Sequence, residues 1–199
     1  GIFWIFAFTA CMGLGLGPLL NHYAGMPGGP MLIMQALGST ALVFFGLSAY
    51  ALTTKKDFSF MGGFLTVGLL VVIVASIVNI FIGSSLTFMV INAAVVLIMS
   101  GFILFDTSRI INGGETNYIR ATVGLYSNIY NLFTSILALL GIKGINNSAL
   151  IRRSSAETYR QVAAGLLGSL LFLTDFQGCF ISRYLLISRI NENIVSNVS

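Results

Sequence analysis

Four charged residues, close together between two apolar stretches, are where this chain could do chemistry. Asp106, Arg109, Glu115 and Arg120 all lie between positions 106 and 120. A carboxylate at the edge of a membrane helix either sits at the lipid headgroups or faces the bundle interior, where it marks an ion or proton site. On a helix, Asp106 and Arg109 could instead form an i,i+3 pair that contributes roughly 0.2–0.5 kcal/mol. The residue types alone leave both readings open.

Arg120 and the glycines beside Glu115 have simpler interpretations. The Arg120 side chain could extend to lipid headgroups or pair with Asp106 or Glu115. Gly113-Gly114-Glu115 predicts a turn, because glycine adopts backbone angles that other residues avoid. It is not a phosphate-binding loop, since the G-K-[ST] context is missing.

The usual catalytic motifs do not occur in the sequence. His22 is the single histidine, so no H-E-x-x-H zinc motif exists, and no G-x-S-x-G motif supplies a serine nucleophile. Cys11 and Cys179 are too few for a disulfide framework. We therefore expect no catalytic residues, no cofactor and no metal site.

The composition indicates an integral membrane protein. Of the 199 residues, 8% are charged and 56% are hydrophobic, whereas about 25% are charged in ordinary soluble domains. The mean hydropathy is +0.93. The formal net charge of +4 is small, and in so apolar a chain it reflects orientation in the bilayer rather than nucleic-acid binding. The lipid bilayer is the expected partner.

Long apolar runs predict an all-α, polytopic transmembrane helix bundle. A spanning helix needs about 20 mostly apolar residues, and five stretches meet that test. A sixth, 162–187, is doubtful because Asp175 and Arg183 interrupt it. The five clear spans are Ile2–Asn21, Met31–Thr53, Phe60–Gly83, Leu86–Phe105 and Ile119–Leu140.

The distribution of basic residues predicts orientation and sets the tail apart. Lys55-Lys56-Asp57 follows the second span, and Arg109 and Arg120 follow the fourth, which places both loops on the cytoplasmic side. We expect Lys55, Lys56 and Asp57 to anchor the loop at lipid headgroups or to contact a cytoplasmic partner. Residues 1–142 carry seven charges, whereas 143–199 carry nine. The basic tail breaks the orientation rule, so either the fifth span is re-entrant or the tail is not under the usual selection.

Small residues in the first span predict helix packing. Gly13 and Gly17 form a G-x-x-x-G pattern, which lets two helix backbones approach closely in a membrane. A gating hinge is the alternative. We expect the packing role.

Three stretches closely resemble the bacterial YccA branch of the Bax inhibitor-1 family. The resemblance covers about residues 1–141. Its clearest motifs are Lys55-Lys56-Asp57-Phe58, Phe105-Asp106-Thr107-Ser108-Arg109 and Tyr130-Asn131-Leu132-Phe133.

The resemblance implies a domain organisation. The family has seven transmembrane helices, and the five clear spans look like its third to seventh. We therefore expect a Bax inhibitor-1-like domain at 1–142, two helices upstream of Gly1, and an atypical tail at 143–199. A frameshifted or misjoined end would explain the unusual tail, and a non-functional, truncated remnant is an alternative to a functional protein.

The resemblance also implies a function. Members of this branch resemble multi-pass inner-membrane modulators of the FtsH protease, while other members resemble pH-sensitive calcium leak channels. In those channels an aspartate matching Asp106 pairs with a second aspartate in the last helix. Asn128 stands at that second position here. An amide cannot titrate, so we expect a polar contact between Asp106 and Asn128 without a proton switch.

Overall fold

The computed structural model describes residues 2–54, 56–114 and 118–144, and this part of the chain is entirely helical apart from its connections. The predicted all-α architecture is confirmed. The helices are α1 (Ile2–Ala24), α2 (Gly29–Thr54), α3 (Met61–Ile82), α4 (Ser85–Ile111) and α5 (Tyr118–Gly144).

These helices are built to cross a membrane. Helices α2, α3 and α4, together with Tyr118–Ile142 of α5, are long and apolar enough to span it. At 1.5 Å per residue, even the 22 residues of α3 reach about 33 Å, which exceeds a hydrocarbon core of about 30 Å. Helix α1 has 23 residues without Asp, Glu, Lys or Arg. The chain is a polytopic helical membrane protein.

Glycines shape the short α1–α2 and α3–α4 connections. Gly28 and Gly83 have positive φ angles of 76° and 67°, which glycine adopts without a steric penalty. Ser84 caps α4, because its hydroxyl accepts a hydrogen bond from the Thr87 amide at 3.4 Å. The Asn79 side chain also bonds the Ser84 backbone. Asn79 Nδ2 donates to the Ser84 carbonyl at 3.2 Å, and Asn79 Oδ1 accepts from the Ser84 amide at 3.3 Å.

Helix α4 is longer than the apolar run that predicts it. The predicted span ends at Phe105, but the helix continues to Ile111 and ends in a turn at Asn112 and Gly113. Gly113 has a φ of 72°, as the sequence predicts for a turn at this place. As a result, Asp106, Ser108 and Arg109 are presented from a helix rather than from a loop.

Helix α5 lies against three other helices and forms much of the interior. It contacts α1, α2 and α4, while α3 packs on α4. One apolar cluster joins α3, α4 and α5 through Leu69, Met99, Ile103 and Leu132, all with 0% exposure. A second cluster joins α1, α2 and α5 through fully or almost fully buried Leu19, Tyr23, Ala36 and Leu137.

Close helix packing occurs at glycines other than the predicted pair. A methyl group at Gly101 of α4 would lie 2.6 Å from Leu65 of α3, and one at Gly62 would lie 2.9 Å from the Phe105 ring. No described atom lies within 4 Å of a methyl group placed at Gly13 or Gly17. Within the described residues, this pair does not pack against another helix.

The fifth span is not re-entrant, because α5 is one continuous helix of 27 residues. The doubtful sixth span at 162–187 and most of the tail predicted at 143–199 lie outside the described residues. Lys55 and Glu115 lie outside them as well.

Candidate functional site

The site is centred on a hydrogen bond between α4 and α5. The Asn128 side-chain amide donates to Asp106 Oδ2 at 2.7 Å. Asn128 is only 5% exposed, and Asp106 is half-buried. The two helices run antiparallel here, so Asp106, five residues before the end of α4, meets Asn128, ten residues into α5. The expected contact between these residues is therefore present.

The chemistry of this pair differs from that of two carboxylates. A charged acceptor strengthens a hydrogen bond, and the Asn128 amide offers a donor to an ionised Asp106. Two adjacent carboxylates would share one proton and titrate as a pair, whereas an amide has no proton to exchange in that range. The contact holds α4 to α5 while leaving a single titratable group.

A second connection joins the end of α4 to the α2–α3 loop. The Ser108 hydroxyl donates to the Lys56 carbonyl at 2.9 Å and accepts from the Phe58 amide at 3.2 Å. The Asn112 side-chain amide donates to Ser108 Oγ at 3.2 Å and to the Lys56 carbonyl at 3.4 Å. Ser108 is 1% exposed. We call this set of bonds the loop clamp; it consists of Lys56, Phe58, Ser108 and Asn112.

The clamp presents two charged side chains at the bundle end. Lys56 and Asp57 are both exposed, although the backbone between them is held by Ser108. Asp57 Oδ1 accepts from the Ser59 amide at 2.8 Å. Hydrogen bonds from the side chain and the backbone of Ser59 lower the pKa of the Asp57 carboxyl, so it is ionised at neutral pH.

Arg109 is directed toward the turn after α4. Its guanidinium donates to the Gly114 carbonyl at 3.2 Å and lies 5.4 Å from the centre of the Phe105 ring, in a cation–π arrangement. The Gly114 amide in turn bonds the Arg109 carbonyl at 2.8 Å. Arg109 therefore fixes the turn at residues 112–114 that follows α4. Arg120 is half-buried in the first turn of α5, and its choice of partner stays a prediction.

Helix α5 carries more buried polar side chains than an apolar bundle requires. Besides Asn128, the buried polar residues are Ser127, Asn131, Thr134 and Ser135, each with no more than 1% exposure. Thr134 donates within its own helix, to the carbonyls of Tyr130 and Asn131, both at 3.1 Å. The oxygens of Ser127 and Ser135 have no hydrogen-bond partner among the described residues. We call these five residues the polar stripe.

Sequence reasoning missed the loop clamp and most of the polar stripe. The i, i+4, i+8 spacing of Ser127, Asn131 and Ser135 in an apolar helix is a signal that could have revealed the stripe. Ser108 gives no such signal, because its partners lie about 50 positions away. In the described ranges, no group of three or more His, Cys, Asp or Glu residues could hold a metal ion.

A family sequence model covers most of this chain. The model for "Inhibitor of apoptosis-promoting Bax1" matches residues 1–145. This chain belongs to the Bax inhibitor-1 family. All the residues of the site described above lie inside the matched range.

Relatives from other bacteria place the chain within this family. It is 58% identical over 147 residues to an uncharacterized membrane protein of Vibrio cholerae, covering 74% of this chain and 66% of the relative. It is 54% identical over 141 residues to the protein named modulator of FtsH protease YccA of Escherichia coli K12, covering 71% and 64%. The same figures hold for the inner membrane protein YccA of E. coli O6:H1.

The likeness to YccA and the spanning helices confirm two sequence predictions. The chain is a Bax inhibitor-1 family protein similar to YccA, and it is a multi-pass inner-membrane protein. The matched region spans just under two thirds of the length of these relatives.

Proposed function

We propose that this chain modulates an FtsH-type membrane protease by binding it or its partners and restraining proteolysis, without catalysing a reaction itself. The observation that carries the proposal is the 54% identity to a protein named modulator of FtsH protease, across a region that contains Asp106, Asn128 and the loop clamp. We take residues 1–142 as the domain that performs this role.

The loop clamp offers a surface that a protein partner could recognise. It holds the backbone at residues 56–58 against α4 and leaves the Lys56 and Asp57 side chains exposed. Exposed charges favour specific binding and a higher association rate with a partner. A fixed backbone also strengthens binding, because less conformational entropy is lost when the complex forms. We propose Lys56 and Asp57 as partner contacts, the second of the two roles expected for this loop.

The Asp106–Asn128 pair supports a constitutive role rather than one switched by paired carboxylates. Its amide donor keeps α4 and α5 together without a second titratable group. Arg109 adds a fixed turn beside it. We propose that these residues set the shape of the bundle end that carries the clamp.

Co-purification and substrate turnover test the proposal. The full chain, co-expressed with E. coli FtsH, is expected to co-purify with it in mild detergent and to slow degradation of a membrane substrate in vesicles. Lys56→Glu should weaken both effects, since it reverses the exposed charge. Asn21→Asp, which adds a charge at the opposite end of the bundle, is the matched control. If neither co-purification nor slower turnover occurs, the proposal fails.

The polar stripe favours one alternative, a pH-sensitive calcium or cation leak. Buried Ser127, Asn131 and Ser135 lie on the same helix as Asn128, which bonds Asp106, and polar groups within spanning helices often mark ion pathways. The alternative predicts calcium flux into vesicles containing the full chain, with a pH dependence that Asp106→Asn removes. Absence of any pH-dependent flux would reject it.

A further inference from the structure

The end of α4 carries an asparagine followed by two glycines. Asn112 comes directly after the last residue of the helix, and its backbone amide bonds the Ser108 carbonyl at 3.0 Å. Asn112 and Gly113 are both exposed, and Gly113 has a φ of 72°. Asn112 lies seven residues beyond Phe105, where the apolar run ends, or about 10 Å farther along the chain. Its side chain is therefore within reach of water.

The side-chain amide of Asn112 acts in the loop clamp as a donor. Its Nδ2 donates to the Lys56 carbonyl at 3.4 Å and to Ser108 Oγ at 3.2 Å. The Ser108 hydroxyl has a single proton, which it donates to the Lys56 carbonyl at 2.9 Å. Both contacts of Asn112 in the clamp therefore need an N–H, and neither oxygen that it meets has a proton to spare for a carboxylate.

A carboxylate at position 112 would work against the clamp. An ionised carboxylate only accepts hydrogen bonds, and as a charged acceptor it forms stronger bonds than a neutral carbonyl does. It would repel the Lys56 carbonyl and compete with it for the proton of the Ser108 hydroxyl. The bond that holds the Lys56 backbone to α4 would be lost, and the α2–α3 loop would be released.

The residue that follows Asn112 favours such a conversion. An asparagine cyclises when the next backbone nitrogen attacks its side-chain Cγ, and glycine has no Cβ to hinder that approach. The Gly113 amide is loosely held, since its bond to the Ile110 carbonyl is 3.4 Å, which is long for an N–H···O contact. The other asparagines in the described ranges lie inside helices, at Asn21, Asn79, Asn92, Asn128 and Asn131.

We propose that Asn112 is a deamidation site and that its conversion to aspartate or isoaspartate opens the loop clamp. The Gly113 amide nitrogen attacks Cγ, so that a new C–N bond closes a succinimide ring while the bond from Cγ to Nδ2 breaks. Nδ2 leaves as ammonia and takes up the proton that the Gly113 nitrogen gives up. Water then opens the ring at either carbonyl, and one water is consumed for each ammonia released.

The clamp itself slows the reaction. Cyclisation requires the Asn112 side chain to leave Ser108 and the Lys56 carbonyl and to turn its Cγ toward the Gly113 nitrogen. An intact clamp therefore protects the asparagine, and an open clamp exposes it. Because the product cannot re-form these bonds, each conversion leaves the loop released, and the modification acts as a one-way switch.

Peptide mapping of aged protein tests the site. The full chain is incubated in detergent micelles at neutral and mildly alkaline pH, digested with trypsin and analysed by mass spectrometry against a sample taken at time zero. We expect Asn112 to convert severalfold faster than Asn128 and Asn131, and faster at the higher pH, since the deprotonated amide is the nucleophile. Fragment ions distinguish Asn112 from Asn117 in the same peptide. Conversion of Asn112 no faster than that of Asn128 and Asn131 would overturn the proposal.

A pair of serine variants tests the protection. Ser108→Ala weakens the clamp and should raise the rate of Asn112 conversion severalfold. Ser100→Ala is the matched control, since its hydroxyl bonds the Val96 carbonyl of its own helix, and it should leave the rate unchanged. Equal rates in the two variants would show that the clamp does not protect Asn112.

Trypsin cleavage after Lys56 measures the release of the loop. Freshly prepared Asn112→Asp should be cleaved severalfold faster than the unmodified chain, whereas Asn21→Asp, with the same added charge at the other end of the bundle, should not.

Ageing gives the same measurement without depending on that variant. Cleavage of the unmodified chain after Lys56 should rise with the fraction of Asn112 converted. In Asn112→Gln it should stay constant with age, because the larger ring that glutamine would form closes more slowly. If Asn112→Asp fails to fold, the aged unmodified chain decides alone. Cleavage that does not change as Asn112 converts would refute the release of the loop.

Discussion

Helix α5 has two faces that meet their neighbours in opposite ways. Toward α4 it presents Asn128, which donates a hydrogen bond to Asp106, and the other residues of the polar stripe are buried inside the bundle. Toward α1 and α2 it presents Ile129, Tyr130 and Phe133, which line an open apolar groove. Buried polar groups in a membrane need protein partners, because lipid offers none.

The apolar face has a different requirement. Lipid tails solvate leucine and phenylalanine as well as protein does, so no hydrophobic force closes a groove within the bilayer. The polar face therefore determines which helices are joined, whereas the apolar face leaves a groove beside α1 and α2. Five experiments test this contrast and the bundle end beside it, in order of decreasing expected effect.

The largest effect is expected where a charged acceptor loses a donor. Asn128→Leu removes the amide that bonds Asp106 and should destabilise the bundle by about 1.5–3 kcal/mol, the range for hydrogen bonds to charged groups. The matched control is the adjacent groove residue, with Ile129→Leu expected to cost less than about 1.5 kcal/mol. Unfolding in mixed micelles of sodium dodecyl sulfate measures both. Equal losses would contradict the contrast between the two faces.

A closely related variant tests the chemistry of the same contact. Asn128→Asp places two carboxylates together and should make stability rise as pH falls, because one shared proton relieves their repulsion. The unmodified chain should lack this dependence. A flat stability profile for Asn128→Asp would show that the two side chains do not interact in solution.

Packing at Gly101 distinguishes a filled interface from an open surface. Gly101→Ala places a methyl group 2.6 Å from Leu65, so we expect a loss of about 1–2 kcal/mol as the leucine is displaced. Gly46→Ala in α2, where a methyl group meets nothing within 4 Å, should instead stabilise by about 0.5–1 kcal/mol. Thermal unfolding in detergent compares the two. A loss at both positions would mean that the α2 surface is packed.

Removing the central hydroxyl of the loop clamp should have a smaller effect. Ser108→Ala leaves the Phe58 amide and the Lys56 carbonyl without this partner and should cost about 1 kcal/mol. Trypsin should then cleave after Lys56 faster. Ser100→Ala is the control, since its hydroxyl bonds Val96 of its own helix and holds no loop. Unchanged cleavage in Ser108→Ala would show that the clamp does not restrain the loop.

The smallest effect concerns Asp57, which is fully exposed. The Ser59 hydrogen bonds lower its pKa, so their contribution is present at neutral pH and is lost as pH falls below about 4 through that lowered pKa. The NMR shift of the Ser59 amide should follow this titration and become flat in Asp57→Asn. The Thr87 amide, capped by the non-titrating Ser84 hydroxyl, is the internal control. A flat Ser59 shift in the unmodified chain would refute the hydrogen bond.

Local features of the chain were predictable to different degrees. The five helices follow from apolar runs of spanning length, and the Asp106–Asn128 contact follows from the family resemblance. The end of α4 did not follow, because the helix continues past its apolar run to Ile111. Among the described residues, close packing at Gly62 and Gly101 rather than at Gly13 and Gly17 also did not follow, since a small residue permits close approach without specifying which helix approaches.

The sequence by itself determined the membrane class, the five helices, the family and the residues available at the bundle end. Those properties depend on composition and on runs of neighbouring residues, which are local. The tertiary structure alone decided that Ser108 would hold the Lys56 backbone, that the polar stripe would be buried, and that a groove would remain beside α5. Each of these depends on which faces of distant segments meet. In a bilayer, apolar residues are equally stable against lipid or against protein, so the sequence pattern does not specify which faces meet.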